Sequence, residues 1–479
     1  MHKHMQKLLS LFENKLFWLV VLLLVFIPLY PKFPLLNVRG TFVAIRIEDI
    51  LIAISLGFWG LSLLLSRGVK AFFQDRLNQA ILLFFFIGGV SLFSALFVTH
   101  TISFNLGVLH YLRRIEVMML LPFVYSAVKS KKQVFIALAT LSVVIFLVSI
   151  YALGQKYLNW PVISTGNSEF SKGLILYLTP GARVNSTFAG HYDLAVFLAM
   201  SLVVLSGVFF CIRRLYVKAW IAGISLLSFV VLIMTAARLS FVAFIIGVTA
   251  SLVLAGKRLL ILCLIILTVL GLIYPSAMRD RFVSTITVNI FGMGERYASQ
   301  NVLQDNRSKL NIPTLRVRVS DPSQEASESS GTVKLPSDIT PGEPINTTQL
   351  DVYRSFQIRF DQEWPRAIRA FIKNPFLGTG YSSLGLATDN DLLRSLGEVG
   401  ILGTASFGLI FMVLVKKLWT NCRCKDKYVR YFSIGVLAMV IAFLTNALFI
   451  DVFEASKVAI LFWMTVGLGL AVGKIHDNS

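Results

Sequence analysis

Two kinds of side chain in this sequence are placed to do chemistry: arginines where a membrane protein seldom keeps them, and carboxylates at the mouth of an apolar run. Thr388-Asp389-Asn390-Asp391 leads into Leu392-Leu393, and Glu398-Val399-Gly400 follows shortly. A partly desolvated aspartate has a raised pKa suited to taking up a proton, so Asp389 with Asp391 reads as a base and its orienter. The plainer alternative is that Asp389 or Asn390 caps the helix that follows. Arg238 stands in Thr235-Ala236-Ala237-Arg238 with no acidic neighbour in sequence. A guanidinium makes two parallel hydrogen bonds to phosphate and keeps its charge, which makes Arg238 a candidate anion clamp. Its alternative is an arginine snorkelling to an interface. Arg359 invites the same functional reading.

Three further arginines join these candidates. Arg113 and Arg114 precede Glu116 in an apolar context, and ionisable groups at membrane depth are costly enough to count as functional candidates by default. An interfacial helix start, with one arginine paired to Glu116, is the alternative. Arg183 precedes Asn185-Ser186-Thr187-Phe188 and His191, just ahead of another apolar run, where Ser186 or Thr187 would otherwise serve only as a cap. No glycine-rich phosphate loop, zinc spacing or Ser/His/Asp order accompanies them. Cys211, Cys263, Cys422 and Cys424 form no exported disulfide framework, and no metal or cofactor is expected.

The elements that must position these residues are membrane helices. Of 479 residues 56% are hydrophobic and 15% charged, with mean hydropathy +0.73, more apolar surface than a soluble core hides. Runs of about 20 apolar residues, enough to cross roughly 30 Å of hydrocarbon, recur along the chain. The first follows a basic start like that of a signal peptide, but proline rather than a small-residue cleavage site comes after it, so it is kept as a span. An all-α polytopic protein of about twelve transmembrane helices is expected, near 16–31, 49–66, 79–98, 103–128, 134–153, 190–211, 218–235, 239–255, 258–275, 397–415, 430–449 and 455–473. The stretch 219–255 would make a helix of about 55 Å, so it must turn back, and Thr235 to Ser240 is the expected turn. The run after Arg114 is too short to cross unless its helix takes in residues before it.

The net charge of +20 reads as topology rather than nucleic-acid binding. Alternate short connections carry Lys129, Lys131 and Lys132, or Lys416, Lys417, Arg423, Lys425, Lys427 and Arg430, which places them and both termini in the cytoplasm. The candidate residues then face the outer side of a bacterial inner membrane. Three regions follow: a membrane region at 1–275, a large extracytoplasmic loop at 276–396, and a membrane region at 397–479. Within the loop, 320–349 is rich in Ser, Pro, Gly, Thr and acid and is expected to be mobile, whereas 352–373 has the apolar spacing of an amphipathic helix on the membrane surface. Most arginines of that helix read as lipid-headgroup contacts.

Several stretches resemble the O-antigen ligase and O-antigen polymerase superfamily of bacterial membrane glycosyltransferases. Asn185-Ser186-Thr187-Phe188 with Leu194-Ala195 resembles the family's TF…LA pattern, and Thr235-Ala236-Ala237-Arg238 its T.SR turn. Arg359 to Gly380, with Trp364, Asn374-Pro375 and Gly378-Thr379-Gly380, resembles R…W…NP..G.G, and Asp389-Asn390 through Gly403 resembles HN..L…E.G..G. The sequence departs from the pattern at Asp389, where many ligases carry histidine, and at Ala237, where serine is common. The resemblance implies a C-type glycosyltransferase fold that takes a glycan from an undecaprenyl-diphosphate carrier at the outer face and passes it to a glycan, lipid or protein acceptor. With it, Arg238 and Arg359 are expected at the diphosphate with Arg183 in support; either Asp389 takes the histidine's role as base or the base lies elsewhere; and Arg113, Arg114, Asn390 and Asp391 are candidate substrate contacts. A lipid-linked glycan flippase or polysaccharide exporter is the alternative. A transporter would be expected to show repeated halves and polar residues near the midplane of several spans, and this sequence has few of those.

Overall fold

The structure is a computed structural model describing residues 2–37, 44–66, 68–163, 177–178, 182–273, 275–287, 356, 358–385 and 387–477. The segment 320–349, and residues 352–355 and 357 of the expected amphipathic helix, lie outside the described residues. The chain divides into Met1–Arg279 with Ile358–Ser479, and Asp280–Gln357. Arg359 and Asp389 therefore belong to the same compact unit as the long apolar helices.

That unit is built from α1 (His2–Leu29), a small antiparallel ribbon of β1 (Pro34–Asn37) and β2 (Ala44–Arg46), α2 (Ile47–Leu65), α3 (Val69–Gln74), α4 (Arg76–Phe93) with a π-helical extension Ser94–Val98, α5 (Phe104–Ala127) and α6 (Lys131–Tyr157). It continues through α7 (His191–Cys211), α8 (Leu215–Met234), α9 (Arg238–Leu254) and α10 (Leu260–Ile273); α11 (Ala277–Thr287) runs into the second unit. After a π-helical turn Ile358–Glu363 come α12 (Trp364–Lys373), α13 (Asp391–Cys422), α14 (Lys427–Ala447) and α15 (Ser456–Asp477).

Among the described residues eight helices are long and apolar enough to cross a membrane: α2, α4 with its extension, α6, α7, α8, α13, α14 and α15. Counting α10 and α11 together gives up to nine. The other expected spans also fall on helices, but α1 and α9 offer shorter apolar stretches, and α5 carries Arg113, Arg114 and Glu116 along its length. This helix does begin well before its arginines. The expected turn is also present: α8 stops at Met234, Ala236 takes φ +52°, and α9 starts at Arg238.

Burial separates lipid-facing from central helices. Helices α7, α14 and α15 are buried along most of their length, while α2 and α8 leave Phe58, Leu61, Leu226 and Val230 exposed. Helices α7 and α14 touch through glycines: a Cβ on Gly207 would meet the Cα of Gly435 at 2.6 Å, so packing between backbones requires the small residue. The final carbonyls of a helix have no partner within it, and here Pro28 at the end of α1 finds two. Its oxygen accepts from Thr187 Oγ1 at 2.6 Å and Lys457 Nζ at 3.3 Å, tying α1, the segment before α7 and α15 into one corner.

Candidate functional site

The short connection between α14 and α15 organises the candidate site. Asp451 accepts the backbone N–H groups of Thr388 at 2.6 Å, Asp389 at 3.1 Å and Asn390 at 3.3 Å, and the Nη2 of Arg394 at 2.9 Å. Three successive amides and a guanidinium around one carboxylate hold the turn before α13 in a single shape. Asp389 sits in that turn at φ +51°. Asp391 locks the arrangement from the other direction, accepting N–H groups of Val452 at 2.8 Å and Phe453 at 3.3 Å. Asn390 caps α13, its Oδ1 accepting from Leu393 N at 2.9 Å.

With its backbone fixed, Asp389 presents its carboxylate to Arg359, 2.7 Å away. Burial raises the Asp389 carboxyl above the usual aspartate range, against the pull of the Arg359 charge. Glu363, one turn along from Arg359, is pushed up to about 7 by burial, with Asp389 and Asp451 adding to the effect. The expected amphipathic helix is thus two pieces, a π-turn bearing Arg359 and Glu363, then α12 with Ile368 and Ile372 exposed. Arg366 of α12 donates to the Ala387 carbonyl at 2.5 Å, which bridges this strap to the Asp389 turn.

A layer of buried ion pairs supports the turn from below. Arg394 reaches Glu398 at 3.3 Å as well as Asp451, and Arg114 pairs with Glu454. Burial works against the charge on Glu454, yet Arg114 and Arg394 hold it down to about 2. Arg113 lies 4.0 Å from Asp49, so both arginines pair across helices and not with Glu116. Between His110, Arg113, Arg114, Glu454 and Ser456 lies a cavity of about 20 Å³, room for roughly one water and too small for a sugar.

Helix α13 is itself interrupted. Gly400 takes φ +66°, and the chain from Asn374 packs into the break, with Ile401 N donating to Pro375 O at 2.8 Å and Gly380 N to Glu398 O at 2.8 Å. The expected span at 397–415 therefore starts earlier, at Asp391, and bends where Asn374-Pro375 and Gly378-Thr379-Gly380 dock.

The remaining candidates occupy other places in the same unit. Arg183 Nη1 lies 2.8 Å from His191 Nε2, and Ser186 and Thr187 bond to Val148 O and Pro28 O. Arg238 opens α9, two residues before Ser240, whose Oγ contacts Asn446 Oδ1 at 3.0 Å at the end of α14 that leads to Asp451. Among the described residues no group of three or more His, Cys, Asp or Glu is arranged to hold a metal ion.

The chain matches no protein-family model and no curated protein. The geometry therefore carries the functional argument, and it adds residues that the motifs do not reveal: Asp451, Glu454, Arg394 and the fully buried Lys457. Arg394 and Glu398 have the i,i+4 spacing of a helical ion pair, a signal present in the sequence. Asp451 and Glu454 lie between two apolar runs, where acids invite the question of a cationic partner.

Proposed function

We propose that this protein is a membrane glycosyltransferase of the O-antigen ligase and polymerase type, acting at the outer face of a bacterial inner membrane through about twelve spans of a C-type glycosyltransferase fold. Its donor is a glycan on undecaprenyl diphosphate, and its acceptor a hydroxyl of a glycan, lipid or protein. The observation that carries this reading is the pairing of Arg359 with Asp389 on a turn whose three successive amides, from Thr388 to Asn390, are held by Asp451. An anion-binding group and a proton acceptor stand side by side in a partly desolvated setting, which is what displacement of a diphosphate by a hydroxyl requires.

In the proposed reaction the acceptor oxygen forms a bond to the anomeric carbon while the bond from that carbon to the diphosphate oxygen breaks. The electron pair leaves with undecaprenyl diphosphate, and the hydroxyl proton passes to the Asp389 carboxylate. Arg359 and Arg238, supported by Arg183, stabilise the charge developing on the leaving phosphate, while Arg113 and Arg114, engaged with Asp49 and Glu454, brace the site from beneath the turn. In the resting site Arg359 is held by Asp389. A bound diphosphate offers Arg359 a stronger partner, and its transfer to the phosphate frees Asp389 to act as base, so proton acceptance is tied to donor occupancy. Purified protein given a lipid-linked glycan and no nucleotide sugar tests the reading. A new glycosidic bond supports transfer, whereas movement of intact lipid-linked glycan between leaflets supports the exporter.

A further inference from the structure

Glu363 stands beside the Arg359–Asp389 pair and has no part in the proposed transfer. An acid at the start of a helix has an ordinary role, capping the first turn or complementing the helix dipole. Glu363 is the N-cap of α12, yet its side chain makes no capping hydrogen bond. Its Oε2 is buried, and among the described residues no group donates to it. A carboxylate oxygen shut off from water without a donor is costly, so the ionised side chain gains little from this place.

The charges around Glu363 are engaged elsewhere. Arg359 precedes it on the same π-helical turn and Arg366 follows it on α12, but Arg359 lies 2.7 Å from Asp389 and Arg366 donates to the Ala387 carbonyl. Facing it from the turn before α13 and from the α14–α15 connection are Asp389 and Asp451, both like charges. Aromatic packing keeps the strap against them: the Trp364 ring stands 4.7 Å from that of Phe360 and 6.4 Å from that of Phe449, at the end of α14. Two carboxyl groups thus share the neighbourhood of one guanidinium, and Asp389 holds it.

We propose that Glu363 is a positioning residue of the donor site: neutral, it lets Arg359 pass from Asp389 to the donor's diphosphate, and ionised, it competes for Arg359 and repels the donor. This role rests on the glycosyl-transfer reading, with Arg359 as a diphosphate contact. Burial, with Asp389 and Asp451 adding to it, pushes the Glu363 carboxyl up to about 7 against the pull of Arg359 and Arg366. On the acid side of that value the donor meets Arg359 beside a neutral group. On the alkaline side it must bind next to a second anion or return a proton to it. Donor affinity therefore falls as the pH rises through this range, by at most about tenfold per pH unit for a single proton.

Equilibrium binding of undecaprenyl diphosphate, without a sugar, to the purified full chain at about pH 6 and about pH 8 tests the proposal. The ratio of the two affinities is expected to be roughly tenfold larger for wild type than for Glu363→Gln, whose side chain has the same shape and no charge at either pH. Titration of the lipid's own phosphates is common to both proteins and cancels. At the higher pH Glu363→Gln binds more tightly than wild type, a gain that a damaged fold does not produce. Glu363→Ala flattens the ratio in the same way and decides the matter if the Gln variant does not fold. Asp361→Asn, which removes an exposed acid from the same π-helical turn, keeps the wild-type ratio. Equal ratios in wild type and the Glu363 variants overturn the proposal. So does equal flattening by Asp361→Asn, which assigns the effect to net charge. Absence of lipid binding by wild type at both pH values overturns the diphosphate site itself and this role with it.

Discussion

The carboxylate of Asp389 and the guanidinium of Arg359 lie 2.7 Å apart, one on a turn pinned by Asp451 and the other on a π-helical turn that leads into α12. Each restrains the other, and in the proposed reaction an anionic donor releases both. The expected phenotypes of their variants differ for that reason.

Asp389→Asn keeps the size of the side chain but removes the proton acceptor, so glycan transfer falls by about 10²–10⁴-fold with donor binding retained. Arg238→Lys retains charge without the planar fork, and weakens donor binding and turnover together, the latter by about 10²–10³-fold. Donor-binding and single-turnover measurements on the two variants separate these outcomes. Near wild-type transfer by both removes these residues from the site.

The Glu454 carboxyl, held near 2 against an ordinary 4.5, makes stability depend on acid. A carboxyl whose pKa is lowered by folding contributes stability that is complete above pH 4.5 and disappears as the pH falls towards 2. The thermal unfolding midpoint of wild type in detergent therefore drops over that window, and Glu454→Gln, already less stable at neutral pH, drops less steeply. Parallel curves for the two proteins contradict the ion pair with Arg114.

Gly400 joins the break in α13 to the segment that follows α12. Its φ of +66° suits glycine, and a Cβ there would stand 2.4 Å from the backbone carbonyl of Phe376. Gly400→Ala is expected to cost about 1–3 kcal/mol, seen as a lower unfolding midpoint, because the obstructing atoms are backbone and cannot rotate away. Gly408→Ala in the same helix meets nothing within 4 Å and is expected to be neutral or stabilising by about 0.5–1 kcal/mol. Equal effects at the two positions contradict the account of the break.

These residues also mark what the sequence makes legible. The helices were readable because each is an apolar run bounded by charge or proline, and the turn at Ala236 because one helix across 219–255 would outrun the bilayer. Asp389 and Asn390 stand out as polar residues at the mouth of such a run, and Arg359 as an arginine on an amphipathic segment. Their partners do not: Asp451 accepts amides from residues distant in sequence, and Arg114 chooses Glu454 over the nearby Glu116, choices made by helix packing. Lys457 looks like the start of an ordinary helix until the carbonyls of Pro28 and Thr187 converge on it.

The proposed orientation places the loop at 276–396 outside. In a variant whose four cysteines are replaced by serine, a single cysteine at Ser329, a position outside the described residues, is expected to react with an impermeant thiol reagent in spheroplasts. Labelling only after lysis reverses the topology and puts Asp389 on the cytoplasmic side.

The most direct test of the central claim follows both products of the reaction. Purified wild-type protein, given an undecaprenyl-diphosphate-linked glycan and an acceptor with no nucleotide sugar, is expected to release free undecaprenyl diphosphate in step with each new glycosidic bond, and Asp389→Asn to release neither while still binding donor. Wild-type protein that binds or moves the lipid-linked glycan but leaves the sugar–diphosphate bond intact would contradict glycosyl transfer.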